Sequence, residues 1–267
     1  MTTDYSTVTE AAGSLITREA LSMMYTRYSL ARSLSDGKDV LEVACGSGQG
    51  LGLIARTARS VVGGDYTYSL LKTAHSHYRN RIPLIRLDAH ELPFRDESFD
   101  VVLLYEAIYY LRSPDLFLEE TARVLRSGGK VLICSVNPDW PDFNPSPFSV
   151  KYYTAEHLHA MLLQRGFSCE LYGAFPAHAK SWTKKVVSVT KRLAVRLHLI
   201  PRTMKSKAWL KRVFLGPLVP VPAELTDNLA KAADLVPLND VNARSGYKVV
   251  YAIGTKGGRT GYRPFSG

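Results

Sequence analysis

From about Val40 to Thr255, short apolar and β-branched runs alternate with stretches whose apolar residues recur every three or four positions. That alternation marks βα units, in which helices cover both faces of a mostly parallel sheet. Strands are expected near Val40–Ala44, Val61–Gly64, Leu84–Asp88, Val101–Tyr105, Lys130–Val136, Phe167–Tyr172 and Lys248–Gly254. Five of the seven are nearly continuous apolar runs, as strands buried on both faces should be. Leu51–Ala58, Ser69–Tyr78, Leu116–Leu125 and Ala155–Leu163 read as helices, with Asp115 and Thr154 as N-caps and Gly128 and Gly166 as stops. The 267 residues suffice for one α/β domain with embellishments, and 46% hydrophobic against 22% charged residues is a globular composition.

Around this core, 39–175, the sequence separates further parts. Residues 1–38 are expected to form a helical cap, helical from Ile16 to Leu34 and rich in Met23, Met24, Tyr25 and Tyr28; it either caps a ligand mouth or covers the sheet. Residues 176–242 interrupt the alternation as an insertion, 243–256 return as the final strand, and 257–267 read as a disordered tail. The polar N-terminus lacks the basic-then-apolar order of a signal peptide, and no apolar run is long enough to span a bilayer. Cys45, Cys134 and Cys169 are odd in number, with no C-x-x-C pair, so reduced thiols, no zinc or other metal site and a cytoplasmic location are expected.

The segment with most chemistry is Val40-Leu-Glu-Val-Ala-Cys-Gly-Ser-Gly-Gln-Gly50, a strand running into a glycine-dense turn and then a helix. Without Cβ atoms, Gly46, Gly48 and Gly50 let the backbone turn sharply and let a ligand lie against main-chain amides at a helix N-terminus. A side chain at Gly48 is expected to occupy the ligand's place. A dinucleotide fingerprint fails, because its last small position falls on Leu51 or Leu53.

The spacing instead resembles the first motif of class I S-adenosylmethionine-dependent methyltransferases, an apolar run, an acid and then glycines. Further segments resemble that family in order: Val61-Val-Gly-Gly-Asp65, Leu87-Asp88-Ala89 with Glu91-Leu-Pro-Phe, Phe99-Asp-Val-Val-Leu-Leu, and Thr121-Ala-Arg-Val-Leu-Arg-Ser-Gly-Gly-Lys. The resemblance runs from Val40 to Phe167 and implies a Rossmann-like seven-stranded, mostly parallel sheet with an antiparallel last strand and a helical insertion before it. It implies S-adenosylmethionine as cofactor, with Asp65 on the ribose hydroxyls and Asp88 and the Ala89 amide on the adenine edge. Glu42, Ala44, Gly46, Gly48, Gly50, Tyr66 and Tyr105 complete the expected cofactor contacts. Ala44 departs from the family's first glycine, and Tyr109-Tyr110 stand where a His pair is frequent, so no His base is carried over there.

The implied reaction is direct displacement at the sulfonium methyl, so orientation does most of the work and a base is optional. His90, Glu106 and Tyr109 are candidates for a catalytic role, although Glu106 could equally hold the cofactor's amino group. Tyr25, Tyr28, Tyr110 and Tyr153 are expected to line the acceptor pocket, with Tyr152 and His157 nearby.

The net charge of +10 is local: eleven Lys or Arg and no acid lie between Leu171 and Ala223, and the remainder is nearly neutral. Trp182 to Ile200 reads as a basic amphipathic helix, Pro201 ends it, and Met204 to Leu215 reads as a second. Three roles fit: a solvated helical lid, capture of an anionic small-molecule acceptor, or peripheral contact of 181–215 with an anionic membrane. Asn137-Pro-Asp-Trp140 is a near miss to the base-amino methyltransferase motif but follows the wrong strand, and no base-stacking platform is visible, which argues against nucleic acid. The expectation is methyl transfer to O, N or C of a secondary metabolite, sugar or lipid-linked acceptor. A non-catalytic S-adenosylmethionine-binding protein and an RNA methyltransferase are the alternatives.

Overall fold

The structure is a computed structural model and describes residues 4–177, 217–239 and 246–257. In chain order the strands are β1 (Leu15–Thr17), β2 (Asp39–Val43), β3 (Ser60–Asp65), β4 (Leu84–Arg86), β5 (Phe99–Tyr105), β6 (Leu125–Val136), β7 (Phe167–Pro176), β8 (Leu218–Pro220), β9 (Val236–Pro237) and β10 (Tyr247–Lys256). The α-helices are α1 (Arg18–Leu34), α2 (Leu51–Ile54), α3 (Tyr68–Tyr78), α4 (Pro114–Val124) and α5 (Ala155–Gln164).

One mixed sheet organises the molecule in the order β4-β3-β2-β5-β6-β10-β7-β9. The first five strands run parallel, and β10 inserts antiparallel between β6 and β7, with Tyr251 opposite both Cys134 and Tyr172. Side chains of a strand alternate between faces, and here both faces are covered. Val101 and Leu103 point to the side packed by α1, α2 and α3, while Val102 and Leu104 meet Phe117 and Leu118 of α4 and Leu158 and Leu162 of α5. That two-sided burial is why the central strands read as unbroken apolar runs.

All seven expected strands are present, but the sheet has eight, because β9 pairs with β7 through Tyr172–Pro237 and Gly173–Val236. Helix α1 begins at Arg18 rather than Ile16: Ile16 lies in β1, and the Thr17 hydroxyl caps the helix by accepting from the Ala20 N–H. Helix α2 stops at Ile54, short of Ala58. Asp115 is not the cap of α4. Ser113 holds that place and Pro114 the first helical position, where its fixed φ suits a helix start, which leaves Asp115 in the first turn, paired with Arg165 at 3.1 Å. Gly128 is not a helix stop either, since α4 ends at Val124 and Gly128 turns the chain inside β6 with φ +75°. Thr154 and Gly166 fall where expected, one capping α5 and the other following it with φ +78°.

The two basic helices expected within 182–215 and the tail from 258 onward lie outside the described residues. The described end of the insertion, 217–239, returns across the N-terminal segment. Strand β8 pairs with β1, the Leu225 N–H donates to the Gln49 carbonyl at 2.8 Å, and Asp227 pairs with Arg32 and Arg56. The N-terminal segment and this return strap thus converge on the glycine turn after β2. Among the described residues no helix is long and apolar enough to cross a membrane.

Candidate active site

The turn after β2 is built from the backbone outward. Ala44, Gly46 and Gly48 all have positive φ, at 59°, 60° and 81°, so the chain reverses tightly before α2. Asp65, at the end of β3, holds it: Oδ2 accepts from the Gly46 N–H at 2.8 Å and Oδ1 from the Thr67 N–H at 2.7 Å. Burial pushes the Asp65 carboxyl above its ordinary range, and these backbone donors oppose that shift. A Cβ on Gly48 would meet Tyr78, Leu51 and Ala74 beneath the turn, so Gly48 serves the bend itself, and the ligand's place lies on the other side. A Cβ on Gly50 would lie 1.9 Å from the Tyr28 ring. Both glycines and Glu42 are therefore behind the cavity wall, contrary to the direct contacts expected of them.

Glu42 is 1% exposed, and its Oε1 accepts from the Tyr28 hydroxyl at 2.6 Å. Burial pushes its pKa up to about 7, against the opposing effects of Tyr28 and Arg27. Because the folded state then binds this proton more tightly than the unfolded chain, the group costs stability as pH rises from the ordinary carboxylate range through 7. Glu42→Gln, which keeps an acceptor for Tyr28, is expected to gain stability relative to the parent between pH 5 and pH 8, by on the order of 2–3 kcal/mol. Urea unfolding at the two pH values reads this directly, and identical pH profiles for the two proteins would rule it out.

A cavity of about 930 Å³ opens over the carboxyl ends of the parallel strands, where α/β sheets bind ligands. Ala44, Gly46, Asp65, Tyr66, Asp88 and Ala89 line one end. Tyr105, Glu106, Tyr109 and Tyr110 line the other, and Tyr28 closes it from α1. Two tyrosines expected in the pocket are elsewhere: the Tyr25 hydroxyl accepts from the Asn228 N–H at 3.0 Å, and Tyr153 is buried in the core beside α5. Its neighbour Tyr152 lies behind the wall, stacking on the lining residue Tyr109 at 4.5 Å and 22°. Tyr110 contacts the Tyr5 ring at 5.0 Å and shares a 2.6 Å hydrogen bond with Ser146, so this end is walled by aromatic rings.

The three catalytic candidates are all in the wall, in different states. His90 Nδ1 lies 2.6 Å from Asp88 Oδ1, and Nε2 accepts from the Ser113 N–H at 3.2 Å. That pairing assigns the proton to Nδ1 and leaves neither nitrogen to take one from an acceptor. Burial would raise the Asp88 carboxyl, but the His90 bonds hold it below its usual range. Glu106 has φ +51° at the end of β5, and its Oε2 accepts from the Tyr109 hydroxyl and the Val136 N–H, both at 3.2 Å. Burial raises its pKa, opposed chiefly by the nearby Arg27. Sequence reasoning passed over Arg27, together with Tyr5, Thr9 and Glu10 of the N-terminal segment, all of which line the cavity. The signal for Arg27 was its place four residues after Met23, on the apolar face of α1.

This sheet order, the positive-φ turn and an acid at the end of the adjoining strand coincide with a known domain. Residues 41–133 match a family model described as a methyltransferase domain. Over these residues the chain is similar to that family. A probable S-adenosylmethionine-dependent methyltransferase of Mycobacterium tuberculosis is 36% identical over 139 residues, 49% of this chain and 48% of that protein. Phthiotriol/phenolphthiotriol dimycocerosates methyltransferase 1 of Mycobacterium ulcerans is 42% identical over 118 residues, 43% of each chain. The chain thus spans about half the length of the curated relatives it matches. In fold it is similar to the YcgJ protein of Bacillus subtilis, with a TM-score of 0.56, 16% identity, and coverage of 88% of this chain and 99% of that one. The matched segment runs from Leu41 in β2 to Ile133 in β6, so it includes the turn, Asp65, Asp88 and Glu106, whereas α1, the loop after β6 and the return strap lie outside it.

Proposed function

We propose that the chain transfers the methyl group of S-adenosylmethionine to a small-molecule acceptor. The observation that carries this reading is the pairing of Asp65 with the Gly46 amide at one end of a cavity whose other end is an aromatic chamber. The residues fit the cofactor. Asp65 would hold the ribose hydroxyls, Asp88 and the Ala89 amide the adenine edge, and Glu106 the amino group, while Ala44, Gly46, Tyr66 and Tyr105 complete the walls. At about 930 Å³ the cavity is near the upper end of the range for ligand pockets, which suits two ligands side by side.

When bound, S-adenosylmethionine supplies a methyl group already activated on its sulfonium. The protein then has two tasks: aligning the acceptor, worth about 7–11 kcal/mol in well-oriented reactions, and excluding water. Tyr109, backed by Tyr152, and Tyr110 orient the acceptor, and Tyr28 and Tyr5 close the cavity from the N-terminal side. With His90 committed on both nitrogens and Glu106 given to the cofactor, the mechanism rests on orientation. Two relatives that match the domain are named for a lipid acceptor, phthiotriol or phenolphthiotriol dimycocerosates, which supports an apolar or lipid-linked substrate here. An anionic acceptor, or membrane contact through 181–215, rests on the basic sequence of the insertion. A cytoplasmic location is supported by the three unpaired thiols.

The test is production of S-adenosylhomocysteine from S-adenosylmethionine with a panel of hydroxylated aromatic and lipid-linked acceptors. Acceptor-dependent product is expected. Tight cofactor binding with no turnover on any of them would favour a binding protein instead.

A further inference from the structure

We infer that Arg27 reads the carboxylate of the cofactor's amino-acid end, across from Glu106, which takes the ammonium; this rests on the cofactor assignment above. Arg27 lies on α1, outside the matched domain, with its guanidinium in the cavity wall and its side chain only 14% exposed. Helix α1 is fixed at that level from both sides: the Tyr105 hydroxyl donates to the Arg27 carbonyl at 3.0 Å, and the neighbouring Tyr28 is tied to Glu42.

The guanidinium is not satisfied where it sits. Its Nη1 is 3.8 Å from Glu106 Oε1, within ion-pair range but too far for a hydrogen bond. Its Nε is buried and has no hydrogen-bond partner among the described residues. A buried guanidinium with open donors is costly, and its planar fork matches a carboxylate in bidentate fashion. Glu106 shows the complementary gap: Oε2 is filled by Tyr109 and Val136, while Oε1 has only the distant Arg27 and a 3.8 Å contact with the Cys134 thiol. An opposite-charge pair held apart with facing hydrogen-bond capacity open on both sides is a seat for a zwitterion. Lys248, the other cation of the cavity wall for which a direct acid partner is seen, is already held by both oxygens of Glu19 at 2.8 Å and offers no such gap.

The experiment compares two ligands by calorimetry: S-adenosylhomocysteine, and 5′-methylthioadenosine, which keeps the nucleoside and thioether but lacks the amino-acid end. Arg27→Met is expected to weaken S-adenosylhomocysteine by about ten- to a hundredfold and to leave 5′-methylthioadenosine within about twofold of the parent. The methionine leaves Glu106 buried without its counter-charge, so Arg27→Lys, which keeps the charge but loses the planar fork, provides a second variant, expected to weaken S-adenosylhomocysteine several-fold and to leave 5′-methylthioadenosine unchanged. Undiminished S-adenosylhomocysteine affinity overturns the inference, as does an equal loss of both ligands, which would mark Arg27 as structural. A parent protein that binds neither ligand would instead defeat the cofactor assignment, and this inference with it.

Discussion

Asp65→Ala is expected to weaken S-adenosylhomocysteine binding by about a hundredfold or more. Two losses act together. The Gly46 and Thr67 amides lose their common acceptor, so the turn that shapes the cavity floor loses its anchor. A buried donor left without a partner costs about 1–3 kcal/mol, so the folded protein should also lose stability, by about 2–6 kcal/mol if neither amide finds water. The ligand meanwhile loses an ionised acceptor for its ribose, and bonds to charged groups are worth about 1.5–3 kcal/mol each. Asp65→Asn separates the effects, because its one carbonyl oxygen can still accept from a single amide. It should retain most of the stability while binding remains impaired. Calorimetry with thermal melting reads both, and an Asp65→Ala protein within threefold of parental affinity would show that the acid is structural only.

Gly50→Ala is expected to destabilise the protein on the same scale as Asp65→Ala. The backbone at Gly50, φ −93° and ψ −17°, is one that alanine adopts freely, so strain in the main chain is not the issue. The obstacle is the Tyr28 ring, whose atoms lie 1.9, 2.0 and 2.3 Å from the added Cβ. The ring must leave, and its hydroxyl leaves Glu42, stranding a buried carboxyl without its donor. Overpacking costs about 1–3 kcal/mol and the stranded group a similar amount, for a total of about 2–6 kcal/mol. At about 2–4 °C per kcal/mol the melting temperature should fall by about 4–24 °C. In a Tyr28→Ala background the same Gly50→Ala change should cost almost nothing, because the colliding atoms are gone. Additive losses in this double-mutant cycle would contradict the contact.

Both predictions concern residues visible in the sequence, but the roles of some had to be read from the structure. Strands buried on both faces announce themselves as apolar runs, as five of the seven expected strands do, and all seven are present. The glycine turn and the acids at 65 and 88 were legible because they follow apolar runs in the order and spacing of the methyltransferase motifs the sequence resembles. Strands β1, β8 and β9, two or three residues long and outside the βα alternation, were not. Sequence also leaves open which side of a turn a glycine serves. Gly48 and Gly50 looked like ligand contacts, but they make room for Tyr78 and Tyr28. Tyr25 and Tyr153 were misplaced for a related reason. Tyr25 is one step around α1 from Met24, which turns it away from the cavity and toward Asn228, and in the loop before α5 it is Tyr152, not Tyr153, that reaches Tyr109. Arg27 was hidden because a cation on an apolar helix face gains meaning only once the cavity beneath it is known.

The central claim is that the turn at 44–48 and Asp65 cradle the adenosyl end of a cofactor whose sulfur faces the tyrosine-lined chamber. A crystal structure of the protein grown with S-adenosylhomocysteine tests this most directly. The expected result is ribose hydroxyls on Asp65, the adenine edge at Asp88 and the Ala89 amide, and the thioether sulfur pointing toward Tyr109. A ligand seated away from the turn, with Asp65 still bonded only to Gly46 and Thr67, would contradict it.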